Sequence, residues 1–147
     1  MIGHTRQATS GAHTIDNCHP FLINDNLVLA HNGTVRNIWE ICNKYKVNHS
    51  QIHVDSKGLA ALIDQEGFKV LEEYKGFAAL LFTRKDEPNT LYVYRGVSVR
   101  KEGGEMEEER PLYCMTSSEG VYFSSLEESL LAISDNVDDK IKQVEGG

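Results

Sequence analysis

The spacing of apolar residues changes part-way along this chain, and that change is the strongest constraint on its fold. Residues 35–46 and 55–67 carry apolar side chains at helical spacing, and Gly67 supplies a stop signal after the second segment. From residue 77 onward, short apolar runs alternate with turn residues, as is typical of antiparallel hairpins. A helix pair combined with hairpins favours the α+β class over a doubly wound parallel sheet.

The same pattern predicts the remaining elements. We expect a short strand leading into a loop within residues 1–20, a helical turn or two at 68–74, a charged loop at 101–110 and a closing helix at 126–133. The predicted hairpins pair 21–23 with 27–30, 77–83 with 90–94 around a turn at 87–89, and 112–115 with 121–123. No repeat or linker divides the chain, so we predict one domain over residues 1–147, with 134–147 as a tail.

Charge and hydropathy exclude several classes of function. The 147 residues carry a net charge of −7, which provides no basic field for nucleic acid or an anionic membrane surface. The longest apolar run, at 77–82, is too short to span a bilayer, and the first residues lack a signal-peptide core. Three widely spaced cysteines suit reduced thiols. We therefore predict a cytoplasmic protein without nucleic-acid or membrane partners.

Residues suited to chemistry concentrate in the first third of the chain. Residues 1–54 hold all 6 histidines with a near balance of charge, whereas most acidic residues follow later. Arg6 with nearby hydroxyls such as that of Thr9 can hold a carboxylate bidentately. Asn32 and Gly33 offer a side-chain amide and an unshielded backbone N–H, two donors suited to a developing oxyanion. Asp55, at a predicted helix start, can accept hydrogen bonds from an ammonium group.

Each of these features also has a simpler explanation. An arginine near threonines is more often a surface ion pair, and an Asn-Gly sequence after a strand is usually a turn. Asp55 before an apolar helix is normally only a cap. Taken one at a time, the simpler explanation is favoured for all three features.

Their joint order along the chain changes this balance, because it resembles the class II glutamine amidotransferases, a family of N-terminal-nucleophile (Ntn) hydrolases. The segments that carry the resemblance are IGHTRQAT at 2–9, NCHPF at 17–21, LAHNGTVRN at 29–37 and VDS at 54–56. A looser likeness continues through the hairpins to about residue 131. The resemblance implies a four-layer αββα Ntn-hydrolase-type sandwich of antiparallel sheets.

The resemblance also implies a substrate and a role for each candidate residue. Glutamine is the expected ligand, with Arg6 and Thr9 on its α-carboxylate and Asp55 on its α-ammonium. The Asn32 side chain and the Gly33 N–H would form the oxyanion hole. The family's reaction is hydrolysis of the glutamine side-chain amide to glutamate and ammonia, with transfer of the ammonia to an acceptor.

The histidines allow one further hypothesis. A metal site built from His13, His19 and either Cys18 or His31 fits no standard zinc spacing, so we predict neither a metal nor a cofactor. His19 and His31 match positions of the family motifs, and we expect them to order loops through ring N–H bonds.

The nucleophile is the point at which this chain departs from the family pattern. The family uses an N-terminal cysteine whose α-amine is the general base, whereas this sequence opens with Met1 and carries only internal cysteines. We expect an N-terminally truncated domain with a glutamine pocket and no nucleophile, inactive as this chain alone. The alternative is a non-catalytic glutamine- or glutamate-binding or interaction domain. Loss of the first strands would expose a sheet edge, which predicts a homodimer or pairing with a chain that supplies the missing segment.

Overall fold

Two antiparallel sheets and three helices form the part of the chain that the computed structural model describes, residues 1–5, 14–50, 52–96, 110–134 and 139–146. One sheet has the strand order β1-β2-β3-β4 and the other β6-β5-β7. The elements are β1 (Phe21–Ile23), β2 (Leu27–Val35), α1 (Ile38–Lys44), α2 (Asp55–Glu66), β3 (Gly76–Arg84), β4 (Glu87–Arg95), β5 (Tyr113–Ser117), β6 (Gly120–Ser124), α3 (Glu127–Leu131) and β7 (Lys140–Gln143). Short 3-10 helices occupy Ile15–Asn17 and Gly67–Glu72.

The main core lies between the four-stranded sheet and helices α1 and α2. Alternate residues of β2, beginning with Leu27, point toward these helices, and the residues between them face the second sheet. The largest fully buried side chains of this core are Leu27, Leu29, Ile38, Leu59, Leu62, Ile63, Val70, Leu80 and Phe82. Burial of this apolar surface is the main stabilising term that holds α2 against the sheet.

Helix α2 begins and ends where its sequence predicts. Asp55 places a carboxylate in the first turn, where the positive end of the helix dipole favours it. The N–H of Gly67 donates to the carbonyl of Ile63 and closes the last turn. The predicted helix over 55–67 is confirmed, and its first turn lies beside β2.

The second sheet, with α3 packed against it, forms the other half of the sandwich. Leu112, Met115 and Leu130 are buried there. Val144, just after β7, donates its N–H to the carbonyl of Leu112 at 2.8 Å and accepts a hydrogen bond from the Arg95 guanidinium at 3.2 Å. The end of β4 is thereby joined to the second sheet, and the predicted α+β sandwich of antiparallel sheets is confirmed.

Two predictions about strand ends are wrong. β2 does not stop at residue 30 but continues through Asn32 and Gly33 to Val35, because all nine of its residues pair with β3. The turn between β3 and β4 lies at residues 85–86 instead of 87–89, and Pro88 falls within an edge strand, where its missing N–H is tolerated.

The end of the chain also differs from the prediction, and its start is described only in part. Residues 1–5 and 14–20 contain a 3-10 turn and no strand, and residues 6–13 lie outside the described residues. Residues 140–143, predicted as tail, form β7, whose half-buried Ile141 lies opposite Met115. The lysines on either side of Ile141 are typical of a solvated tail, but charged residues are also typical of strands at the edge of a sheet. Within the described ranges no helix has the length and apolar character to cross a membrane.

Candidate functional site

A cleft of about 610 Å³ separates the two sheets. One wall comes from the outward-facing residues of β2 and β3, such as Ala30 and Leu81, and the other from Leu112, Phe123 and the start of α3. The first turn of α2 and the segment around His4 close one end. The volume is within the usual range for a small-molecule pocket.

Asn32 and Gly33 lie side by side on the cleft wall. They sit inside the β2–β3 ladder, where Asn32 is opposite Ala79 and Gly33 is opposite Ala78. Gly33 has φ +150°, and a Cβ on it would lie 2.0 Å from the carbonyl oxygen of Phe77 and 2.7 Å from Nε2 of His31. Only glycine fits there, so the backbone of Gly33 approaches its neighbours more closely than any other residue would permit.

Asp55 lies at the same end of the cleft, on the first turn of α2. Its Oδ2 accepts the N–H of Val35 at 2.8 Å, and its Oδ1 accepts the N–H of Ser56 at 2.9 Å. The carboxylate therefore fastens α2 to β2. Each carboxylate oxygen has a second lone pair, so Asp55 keeps acceptor capacity toward the cleft.

His31 is buried beneath Asn32 and Gly33, with 2% of its surface exposed. Its Nδ1 lies 2.8 Å from the hydroxyl oxygen of Ser56. Burial lowers the pKa of His31 to about 4, outweighing the negative charge of Asp55 and a hydrogen bond to the backbone of Phe77, which both raise it. The imidazole is therefore neutral at pH 7. We expected His31 to order a loop, but it lies within β2 and its ring links that strand to α2.

The opening segment reaches the mouth of the cleft through a stack of rings. The ring centroids of His4 and His19 are 4.1 Å apart, and His19 contacts Phe21 edge-on at 4.6 Å. Gly3, His4 and Thr5 line the cleft. Arg6 and Thr9, predicted to bind the α-carboxylate, lie outside the described residues, as does His13.

Sequence reasoning missed two residues of the site. Arg110, assigned to a solvated loop, lines the cleft with its guanidinium 4.7 Å from the ring centroid of Phe77. Its position beside a run of acidic residues hid this role, and the rest of that loop lies outside the described residues. Ser56 was quoted only as part of the VDS segment and was given no role of its own, although its place directly after Asp55 was the available signal.

The three cysteines all fall within the described residues, and none of them lines the cleft. Cys42 is buried on α1, where burial raises the pKa of its thiol, and Cys114 is buried in β5. Cys18 is exposed in the loop before β1. In the part of the chain that the structure describes, no three metal-binding side chains come together.

Comparison with known proteins shows the family to which this chain belongs. A family profile described as a glutamine amidotransferase domain matches residues 4–132. The chain belongs to the class II glutamine amidotransferase family. The matched range includes every strand except β7, and every residue assigned to the cleft except Gly3.

Individual relatives agree with this family assignment. The glutamine–fructose-6-phosphate aminotransferase of Streptococcus pneumoniae serotype 4 is 35% identical over 112 residues, covering 66% of this chain and 18% of that protein. The enzyme of the same name from Thermococcus kodakarensis is 36% identical over 110 residues, with the same coverage. This amidotransferase domain thus spans about a fifth of the length of the curated relatives it matches.

A solved structure supports the fold. Glutamine phosphoribosylpyrophosphate amidotransferase from B. subtilis, solved with ADP and GMP, superposes with a TM-score of 0.69 at 23% identity. The match covers 98% of this chain and 30% of that one. At this level of identity the match supports the fold only.

The close approach at Gly33 generates a first prediction. Gly33→Ala should destabilise the domain by about 1–3 kcal/mol more than Gly120→Ala, because the added methyl meets a backbone carbonyl that cannot rotate away. Gly120 is the matched control, since its φ is +156° but nothing lies within 4 Å of its Cβ position. Urea unfolding of both variants measures the difference, and equal losses of stability would contradict the steric argument.

The buried imidazole generates a second prediction. Between pH 6.5 and about 4, the unfolded chain binds a proton at His31 that the folded chain does not, so stability falls as the pH falls through this window. The full effect is about 3 kcal/mol. A ¹³C–¹H titration of the His31 ring, assigned with His31→Asn, should give a midpoint near pH 4; a midpoint at 6.5 or above would refute the assignment.

Proposed function

We propose that this domain binds glutamine in the cleft between its sheets and serves the hydrolysis of the side-chain amide to glutamate and ammonia. Arg6 and Thr9 would bind the α-carboxylate and Asp55 the α-ammonium. The Asn32 side-chain amide and the Gly33 N–H would donate to the amide oxygen as negative charge develops on it. The observation that carries the proposal is that Asn32, Gly33 and Asp55 line a single cleft, with Asp55 bonded to Val35 two residues beyond Gly33.

The chemistry of amide hydrolysis explains why these groups belong together. A thiolate attacks the carboxamide carbon, the C–N bond breaks as the nitrogen is protonated, and ammonia leaves behind a glutamyl thioester. Water then cleaves the thioester to glutamate and the free thiol. Both steps pass through an oxyanion on the former amide oxygen, so two fixed donors assist each of them.

The attacking thiol is proposed to come from outside the cleft residues of this chain, because Cys18, Cys42 and Cys114 all lie away from the cleft. This observation also favours a second candidate function, in which the domain binds glutamine or glutamate without hydrolysing it. The curated relatives are named glutamine–fructose-6-phosphate aminotransferases. Since this chain matches only 18% of their length, we propose no acceptor for the ammonia.

Recognition of the α-ammonium by Asp55 can be tested by calorimetry. The 147-residue chain should prefer L-glutamine over glutaramate, which lacks the ammonium group. Asp55→Asn keeps one acceptor oxygen for the backbone but loses the charge, so the preference should fall about tenfold. Asp64→Asn is the control, because Asp64 lies on the same helix but does not line the cleft. Its carboxylate accepts hydrogen bonds from the Asn24 and Asn26 side chains. A preference unchanged in Asp55→Asn would exclude the assigned role.

The position of the cysteines generates a prediction about turnover. The purified 147-residue chain, incubated with L-glutamine, should release no more ammonia than the buffer alone. A coupled glutamate dehydrogenase assay measures the ammonia. Release that persists in the wild-type chain and disappears in Cys18→Ser, the substitution of its exposed cysteine, would show that an internal thiol reaches the substrate and would overturn this part of the proposal.

A further inference from the structure

Two consecutive residues of α2 hold the β2 segment that carries Asn32 and Gly33. On one side of this segment, the Ser56 hydroxyl oxygen lies 2.8 Å from Nδ1 of His31, the residue directly before Asn32. On the other side, Asp55 accepts the N–H of Val35 at 2.8 Å. The first turn of α2 therefore brackets the two oxyanion donors from both ends.

The bond from Ser56 acts on Gly33 through the His31 ring. Nε2 of the ring lies 2.7 Å from the place that a Gly33 Cβ would take, and the Phe77 carbonyl lies on the same side. The ring and the carbonyl thus occupy the space of a side chain at Gly33. Because the ring is packed this closely, a change in its orientation would change its contact with the Gly33 backbone.

The bond between Ser56 and His31 is shielded from bulk water. Both residues line the cleft, but Ser56 is only 5% exposed and His31 only 2% exposed. The same hydroxyl lies 3.4 Å from Oδ1 of Asp55, which is too long for a strong bond. The bond to His31 is therefore its principal interaction.

We propose that Ser56 is a positioning residue, whose hydroxyl sets the His31 ring against Gly33 and so orients the Asn32 and Gly33 donors toward the amide oxygen of a bound ligand. The inference rests on the proposed function, since it assigns a purpose to the geometry of the proposed oxyanion hole. Ser56 itself does not contact the ligand in this scheme.

The test separates the side-chain amide of the ligand from its head group. L-glutamine and L-norvaline share the α-ammonium and α-carboxylate, but norvaline has no amide oxygen. Ser56→Ala should weaken binding of L-glutamine about five- to tenfold in calorimetry and leave binding of L-norvaline unchanged. Ser56→Thr retains the hydroxyl and should restore most of the L-glutamine affinity.

Ser50→Ala is the control, because Ser50 is an exposed serine that does not line the cleft. Equal L-glutamine affinity in Ser56→Ala and Ser50→Ala would overturn the proposal. An equal loss for L-glutamine and L-norvaline in Ser56→Ala would also overturn it, since that result indicates a general loss of structure.

A measurement on the unaltered chain keeps the proposal testable if Ser56→Ala does not fold. Addition of L-glutamine should shift the ¹⁵N signals of the His31 ring together with the Gly33 amide, whereas L-norvaline should shift neither. A Gly33 shift without a His31 response would refute the coupling. If the chain binds neither ligand, the proposed function fails. The link between Ser56 and Gly33 can then still be tested in the free protein, by comparing the Gly33 amide signal of the wild type with that of Ser56→Thr or Ser56→Ala. An unchanged Gly33 signal would refute the link.

Discussion

The close approach of β2 and β3 at two glycines is the constraint on which the site depends. A Cβ on Gly33 would lie 2.0 Å from the carbonyl oxygen of Phe77, and a Cβ on Gly76 would lie 2.0 Å from the carbonyl oxygen of Thr34. Both glycines have positive φ, at +150° and +135°, where other residues are strained. These reciprocal contacts set the course of β2 where it exposes the Asn32 side chain to the cleft.

The helix that covers this strand contributes to the same geometry from the opposite face. Its apolar residues Leu59, Leu62 and Ile63 are buried in the core, but polar contacts to β2 align its first turn. Asp55 bonds the Val35 backbone and Ser56 bonds His31, so a shift of α2 along the sheet would break both. Because Val35, His31 and Ser56 are buried, each broken bond would leave a buried polar atom without its partner. Packing thus provides the stability, and the hydrogen bonds provide the register.

The cleft combines two regions of the chain that differ in composition. Asn32 and Gly33 come from residues 1–54, which have few charges and all the histidines, whereas Asp55 is the first residue of the acidic remainder. The opposite wall comes from residue 110 onward, also in that remainder, and includes the positive charge of Arg110. A division of the chain into a site-bearing part and a scaffold is therefore only partly correct, because a cleft between two sheets needs residues from both.

The sequence by itself determined the local elements and the chemistry available to the site. Helical spacing located α2, alternating apolar runs located the hairpins, and the motifs around Arg6, Asn32 and Asp55 indicated the family that the comparisons confirm. Only the tertiary structure decided that Asn-Gly continues a strand, that residues 140–143 form β7, and that Ser56 and Arg110 belong to the cleft. The physical reason is that each of these depends on a partner distant in the chain: turn propensity at Asn32–Gly33 yields to pairing with β3, and a serine or arginine acquires a role from what it faces.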